Sequence, residues 1–153
     1  MHSLVSILVH VVFATKERRK LITPELESRL WSYLGGLARG NRMRALKVGG
    51  VSDHLHLLIS LPASLSIGRG VQLLKGHSSK WVSSNFPSHG MFEWQKGYAA
   101  FSVSEASVES TIAYIENQAE HHRQLSFKEE LEAILAEQAM PHEDWMLDDF
   151  FGP

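Results

Sequence analysis

The sequence predicts an α+β fold built on a four-stranded antiparallel sheet, and three observations carry that prediction. Residues 4–13 and 51–61 alternate apolar and mixed side chains with the period of two that a strand requires. Stretches beginning at Thr23 and Ser66 carry apolar residues at three- and four-residue spacing behind a capping side chain, as amphipathic helices do. Gly49-Gly50 and Ser52-Asp53 supply turn chemistry immediately before the 51–61 strand, which places the preceding strand next to it in a hairpin. The resulting order, β-α-β-β-α-β with helices appended, is that of a ferredoxin-like or RRM-like sheet with helices packed on one face.

A chain of 153 residues with 44% apolar and 21% charged residues reads as one globular domain. The core is expected at about 4–137, with 138–153 as a C-terminal tail. Cysteine is absent, so disulfides, thiolate metal sites and a cysteine nucleophile are excluded. No run approaches the ~18 apolar residues of a membrane span, and the N-terminus lacks the basic start of a signal peptide. A cytoplasmic protein is the expectation. The net charge of −2 hides an uneven split: residues 1–80 hold 12 Lys and Arg against 4 Asp and Glu, whereas residues 81–153 hold 3 against 13. Such asymmetry points to a nucleic-acid surface beside an acidic segment.

Taken in order, Val5, Ile7, Val9, Val11 and Phe13 share one face of the first strand, and Ser6, Leu8, His10 and Val12 the other. A basic loop, Lys16 to Lys20, follows. Thr23 caps the first helix with Pro24 at its first position; Leu26, Leu30, Tyr33 or Leu34, and Leu37 form its stripe, and Gly40 ends it. Asn41 to Gly49 is the second strand. The third ends at Leu61-Pro62, and a helix from about Ser66 to Val82 presents Ile67, Val71, Leu74, Ser78 and Trp81. Its Gly68, Gly70 and Gly76 each cost about 1 kcal/mol against Ala and call for close packing in return. Phe92-Glu93-Trp94 and Tyr98 to Val103 read as a hairpin about Gln95-Lys96-Gly97. Ser104 caps a helix over about Glu105 to His122. Ser126 with Glu129 makes a capping box for a last helix with Phe127, Leu131, Ile134 and Leu135 inward. The tail carries Trp145, Phe150 and Phe151 among acids and is expected to dock.

The third strand holds the first candidate chemistry. Leu55, Leu57, Ile59 and Leu61 form a wholly apolar face, while His54, His56 and Leu58 share the other. Two imidazoles at i and i+2 on a strand project side by side, close enough to hold one metal ion. The pair alone is weak evidence in a chain with nine histidines, and it needs a third ligand and a nucleophile. Histidine-triad hydrolases would carry another His where Leu58 stands, and two-histidine phosphodiesterases use His-x-Ser or His-x-Thr. In the segment Ala113 to His122, A-Y-I-E-N-Q-A-E-H-H, Tyr114 and Gln118 lie one helical turn apart, beside the apolar stripe of Val108, Ile112, Ile115 and Ala119.

D-H-L-H-L-L-I followed downstream by Y-I-E-N-Q resembles the single-tyrosine HUH transposases of IS200-like insertion sequences. His10 to Arg19, Leu73 to Trp81 and Gln95 to Ser104 resemble the same family, in order, over about residues 4–137. The resemblance implies that His54, His56 and Gln118 bind a divalent ion, Mg²⁺ or Mn²⁺, and that the appended helices carry Tyr114 as nucleophile. It implies cleavage and rejoining of single-stranded DNA at the hairpin ends of an element, without ATP, through a 5′-phosphotyrosine. It further implies a prokaryotic enzyme working as a homodimer in which each tyrosine helix completes the partner's histidine site, with no membrane role. Lys16, Arg18, Arg19, Arg42, Arg44, Lys75 and Lys80 are candidate phosphate contacts. Two alternatives stay open: a domesticated relative that cuts repeated genomic hairpins, and a non-catalytic RRM-like module, whose base-stacking aromatics the central strands here lack.

Overall fold

In the computed structural model, residues 2–89 and 91–151 are described; Met1, Gly90, Gly152 and Pro153, parts of the expected 1–153 domain, lie outside the described residues. The strands are β1 (Leu8–Ala14), β2 (Arg44–Gly50), β3 (His54–Ser60) and β4 (Ala99–Ser102). The helices are α1 (Pro24–Gly40), α2 (Ile67–Asn85), α3 (Val108–Glu116), α4 (Gln118–His121), α5 (Phe127–Glu137) and α6 (Asp148–Phe151). The sheet order is β2-β3-β1-β4 with every neighbour antiparallel, which is the expected ferredoxin-like arrangement.

The alternation of β1 and β3 sets two different faces. Val9, Val11 and Phe13 of β1 and Leu55, Leu57 and Ile59 of β3 meet Leu26, Leu30, Leu34 and Ala38 of α1 and Val71, Leu74 and Val82 of α2 in the main core. Burial of each such side chain contributes about 1.5–3 kcal/mol. Thr23 caps α1 by accepting from the Leu26 amide, and Ser66 caps α2 by accepting from the Arg69 amide. Leu34, not Tyr33, takes the buried position of α1; the Tyr33 ring stacks on Trp81 at 4.4 Å between centroids.

The second face departs from expectation. It is roofed, not open. Leu8 and Leu58 pack on Ile115 of α3, and Val12, Ala14 and Phe101 pack on Phe127, Leu131, Ile134 and Leu135 of α5. The reason lies in the apolar residues interleaved with the histidines: Leu8, Val12 and Leu58 would otherwise meet water, so the appended helices cover them. The sheet is therefore sandwiched between two helical layers.

Four further expectations are corrected. Leu4, Val5 and Ile7 lie before β1 and are exposed; the pairing ends with the Leu61 amide donating to the Ile7 carbonyl at 2.9 Å, because Pro62 has no N–H to continue it. β2 starts at Arg44 rather than Asn41. The stretch around Gln95–Gly97 is not a hairpin: β4 pairs with β1, and Trp94 only bridges Thr15. Phe92 and Trp94 point into the main core instead, and the Lys75 ammonium pins the turn through the carbonyls of Gln95, Lys96 and Gly97. Among the α2 glycines, only Gly70 is closely approached; a Cβ there would lie 3.1 Å from the Met43 sulfur, whereas Gly76 has nothing within 4 Å.

Candidate metal and nucleophile site

His54 and His56 stand on β3 opposite Ala14 and Val12 of β1, beneath the roof, and both are 0% exposed. The expected helix from Glu105 to His122 is broken at Asn117, whose φ of −94° and ψ of 22° end α3 and start α4. The break does not separate the two residues picked from the sequence. The Gln118 side-chain amide donates to the Tyr114 carbonyl at 3.4 Å, and Gln118 Oε1 lies 3.3 Å from His54 Nε2. The structure thus brings together His54, His56, Tyr114 and Gln118 within one chain.

Two residues not anticipated sit at its centre. Glu130 of α5 is 2% exposed, and its Oε1 lies 3.1 Å from His54 Nε2, 3.0 Å from His56 Nε2 and 3.0 Å from His122 Nε2. Its Oε2 accepts a hydrogen bond from the Tyr114 hydroxyl and one of 3.0 Å from the Gln118 amide. Both newcomers left a trace in the sequence. Glu130 falls inside the inward stripe of α5, three residues after Phe127 and one before Leu131, where a carboxylate is out of place unless paired. His122 follows Gln118 by four residues, as Gln118 follows Tyr114.

The rings are held from behind. His54 Nδ1 is 2.7 Å from Asp53 Oδ1, His122 Nδ1 is 2.6 Å from the Leu125 carbonyl, and His56 Nδ1 is 2.8 Å from His10 Nε2. Burial and the neighbouring His56 lower the His10 pKa to about 3, so that ring is neutral. Burial likewise lowers His56. For His54 burial acts downward too, but Asp53 and Glu130 on either side outweigh it and raise the pKa. Burial would raise Glu130, yet its bonds with His122, His54 and His56 hold the carboxyl well below the usual range. Burial and the adjacent Glu130 push the Tyr114 phenol well above its ordinary value, so it is a neutral hydroxyl here. The electrostatic demand at the centre is for positive charge.

This donor set fits a divalent cation. Imidazole nitrogens, an amide oxygen and a carboxylate oxygen converge on one buried spot, and each ring is oriented by a partner on its other nitrogen, as ligating histidines are. An open cleft of about 810 Å³ flanks the cluster on the His122 side, lined by Arg18, Lys20, Asp53, His122 and Lys128. A smaller one of about 290 Å³, lined by His10, Thr111 and Tyr114, flanks it on the tyrosine side.

The candidate phosphate contacts divide. Lys16, Arg18 and Arg19 lie just past the end of β1, the end at which Ala14 faces His54. Lys16 pairs with Glu93 and Arg19 with Glu17, while Arg18 donates to the Phe151 carbonyl of α6 and lies over its ring. Arg42 and Arg44 are exposed beside the opposite end of the sheet, where Arg44 faces Ser60, about 20 Å from His54 at a strand's rise per residue. Lys80 is exposed on α2, in the layer behind the main core. Lys75 serves the 95–97 turn, and burial lowers its amine to about 8. Lys20 and Lys128 complete the basic lining of the large cleft and were not anticipated.

A family model described as "Transposase IS200 like" matches residues 3–118. The chain is 32% identical over 77 residues to the transposase for insertion sequence element IS200 of Salmonella typhimurium, covering 50% of this chain and 51% of that protein. It thus matches about half the length of that relative. A Deinococcus radiodurans R1 crystal structure, of a protein assigned as a transposase, superimposes with a TM-score of 0.62 at 28% identity, over 77% of this chain and 95% of that one. A REP-associated tyrosine transposase bound to a REP hairpin superimposes with a TM-score of 0.59 at 11% identity, over 82% of this chain and 74% of that one, a likeness of fold alone.

Proposed function

This chain belongs to the IS200-like transposase family, and from that premise we propose that it cuts and rejoins single-stranded DNA with Tyr114 as nucleophile. The observation that supports this reading best is the intrachain convergence of Tyr114 and Gln118 on His54 and His56 through Glu130. A divalent ion held by His54, His56 and Gln118 would polarise the scissile phosphate and offset its charge. The Tyr114 oxygen attacks phosphorus, the bond from phosphorus to the 3′ oxygen breaks, and a 5′-phosphotyrosine remains. The phenolic proton, which Glu130 Oε2 accepts as a hydrogen bond, is released, and the 3′ oxygen leaves as a hydroxyl. The reverse attack by a 3′-hydroxyl rejoins the strand, so no ATP is needed.

The substrate we assign is hairpin-bearing single-stranded DNA. The roof leaves only clefts beside a buried centre, which suits a flexible strand better than a stiff duplex. The fold likeness to a transposase bound to a hairpin agrees with that choice. Whether the element is mobile or domesticated is decided by the flanking DNA. The test is incubation of the full chain with end-labelled single-stranded hairpin DNA and Mn²⁺, followed by a denaturing gel. A covalent protein–DNA band that is lost with chelator and with duplex substrate is expected; cutting in excess chelator would overturn the metal assignment.

Two further outcomes follow. If Arg18, Lys20 and Lys128 neutralise three phosphates, the logarithm of affinity should fall against the logarithm of salt with a slope of about −2. An affinity flat from low to moderate salt would remove the basic cleft from the reading. Gly49 also matters, because a Cβ there would lie 2.6 Å from the Ile115 carbonyl oxygen. Gly49→Ala must lift α3 off β2 and shift Tyr114, so cutting should drop by about 10–100-fold while the chain still folds. An unchanged single-turnover rate would show that Gly49 does not set the tyrosine's position.

A further inference from the structure

We propose that the cation site of this chain extends beyond His54, His56 and Gln118: His122 and Glu130 are also ligands, and the enlarged set selects a transition metal over Mg²⁺. The inference rests on the reading that a divalent ion works here, and it adds both ligands and selectivity.

The geometry comes first. Three imidazole Nε2 atoms lie 3.1, 3.0 and 3.0 Å from the single oxygen Oε1 of Glu130. Donors on adjacent positions of an octahedral ion, each about 2.1 Å from it, lie about 3 Å from one another. Ligand atoms of His54, His122 and Glu130 all fall within 4.8 Å of one another; His56 stands outside that set and meets it through Glu130 Oε1 at 3.0 Å. Groups packed at that spacing are arranged as neighbours around one centre.

Proton placement comes second. A backbone carbonyl can only accept, so the 2.6 Å contact of His122 Nδ1 with the Leu125 oxygen puts the hydrogen on Nδ1. The 2.7 Å contact of His54 Nδ1 with the Asp53 carboxylate does the same for His54. Wherever Nε2 carries no second hydrogen, its lone pair faces a carboxylate oxygen, a repulsive contact that a cation between them removes. A shared cation relieves all of these contacts together. A hydrogen bond from the second ring nitrogen to a carboxylate or carbonyl is also the usual mark of a ligating histidine, and His122 carries it as fully as His54 does.

The placement is built, not incidental. Ser126 and Glu129 form a reciprocal capping box that fixes the start of α5, one residue before Glu130. The same turn supplies the Leu125 carbonyl that orients His122. One loop therefore aims both proposed ligands.

Selectivity follows from the donor types. Mg²⁺ prefers oxygen ligands and keeps its waters, whereas three imidazoles with one carboxylate suit Mn²⁺, Co²⁺ and Zn²⁺, with affinity rising along the first-row series.

The test uses the metal-free full chain without DNA, so it reads ligation independently of cutting. Calorimetric titration should show one Co²⁺ site, with Mg²⁺ bound at least about 100-fold more weakly. X-ray absorption of the Co²⁺-loaded wild type should count three imidazoles. His122→Ala should reduce the count to two, and His122→Ala and Glu130→Gln should each weaken Co²⁺ binding by more than about 100-fold, beyond the loss expected for an outer-shell partner. A count of two in the wild type, wild-type affinity in either variant, or Mg²⁺ bound as tightly as Co²⁺ would overturn the proposal. Tighter Co²⁺ binding by Glu130→Gln would overturn it as well, marking Glu130 as an occupant that the ion must displace. If Glu130→Gln fails to fold, the wild-type imidazole count still decides. Metal-dependent cutting with an ordinary two-histidine site would leave the transposase reading intact and refute this one alone.

Discussion

Tyr114→Phe should abolish cutting and the covalent protein–DNA band together, a loss of ~10³–10⁶-fold, the scale seen when a nucleophile is deleted. The substitution removes only the hydroxyl. The ring keeps its edge-on contacts with His10 and His56 and its packing beside the α5 cluster. Glu130 loses one donor but keeps the Gln118 amide and the three rings, so the fold and hairpin binding should survive. Of the other tyrosines, Tyr33 is stacked on Trp81 in the layer on the far side of the sheet and Tyr98 precedes β4. A covalent adduct persisting in the purified variant would show that Tyr114 is not the nucleophile.

His56→Ala should remove metal-supported cutting altogether, and it should cost stability as well. His56 connects His10 Nε2 on one side with Glu130 on the other, all three buried. Truncation leaves the His10 nitrogen without that partner, a penalty of about 1–3 kcal/mol, visible as a lower thermal midpoint. The variant also tests how sites are shared between chains. Because one chain already assembles its own tyrosine and histidines, mixing Tyr114→Phe with His56→Ala should restore no cutting. Rescue after confirmed subunit exchange would instead require the homodimer with sites completed in trans that the family resemblance implies. Retained cutting by His56→Ala alone would remove His56 from the metal set.

The parts of the fold and site that were legible in the sequence are those set by local periodicity. Alternation placed His54 and His56 on one side of β3, Thr23 and Ser66 marked two helix starts, and the four-residue spacing of Tyr114 and Gln118 survived even the break at Asn117. What escaped depends on tertiary contact. The roof over the histidines could have been inferred from Leu8, Val12 and Leu58, which had no partners in a one-sided sheet. Glu130 is not legible from the sequence, because a single acid in an apolar stripe looks like an exposed flank until its partners, distant in sequence, are known. Lys75 reads as a phosphate contact in the sequence because nothing local reveals that its acceptors are the carbonyls of residues 95–97.

The division of the sheet into two faces carries a trade-off between keeping a fold and using it. The face toward α1 and α2 is almost purely aliphatic and aromatic and needs no compromise. The face under the roof confines four imidazoles, of His10, His54, His56 and His122, with a carboxylate and an amide in a largely buried layer, each dependent on the others. Such clusters cost conformational stability that an apolar filling would return. A lineage released from selection for strand transfer could therefore replace these residues with leucines and valines and gain robustness.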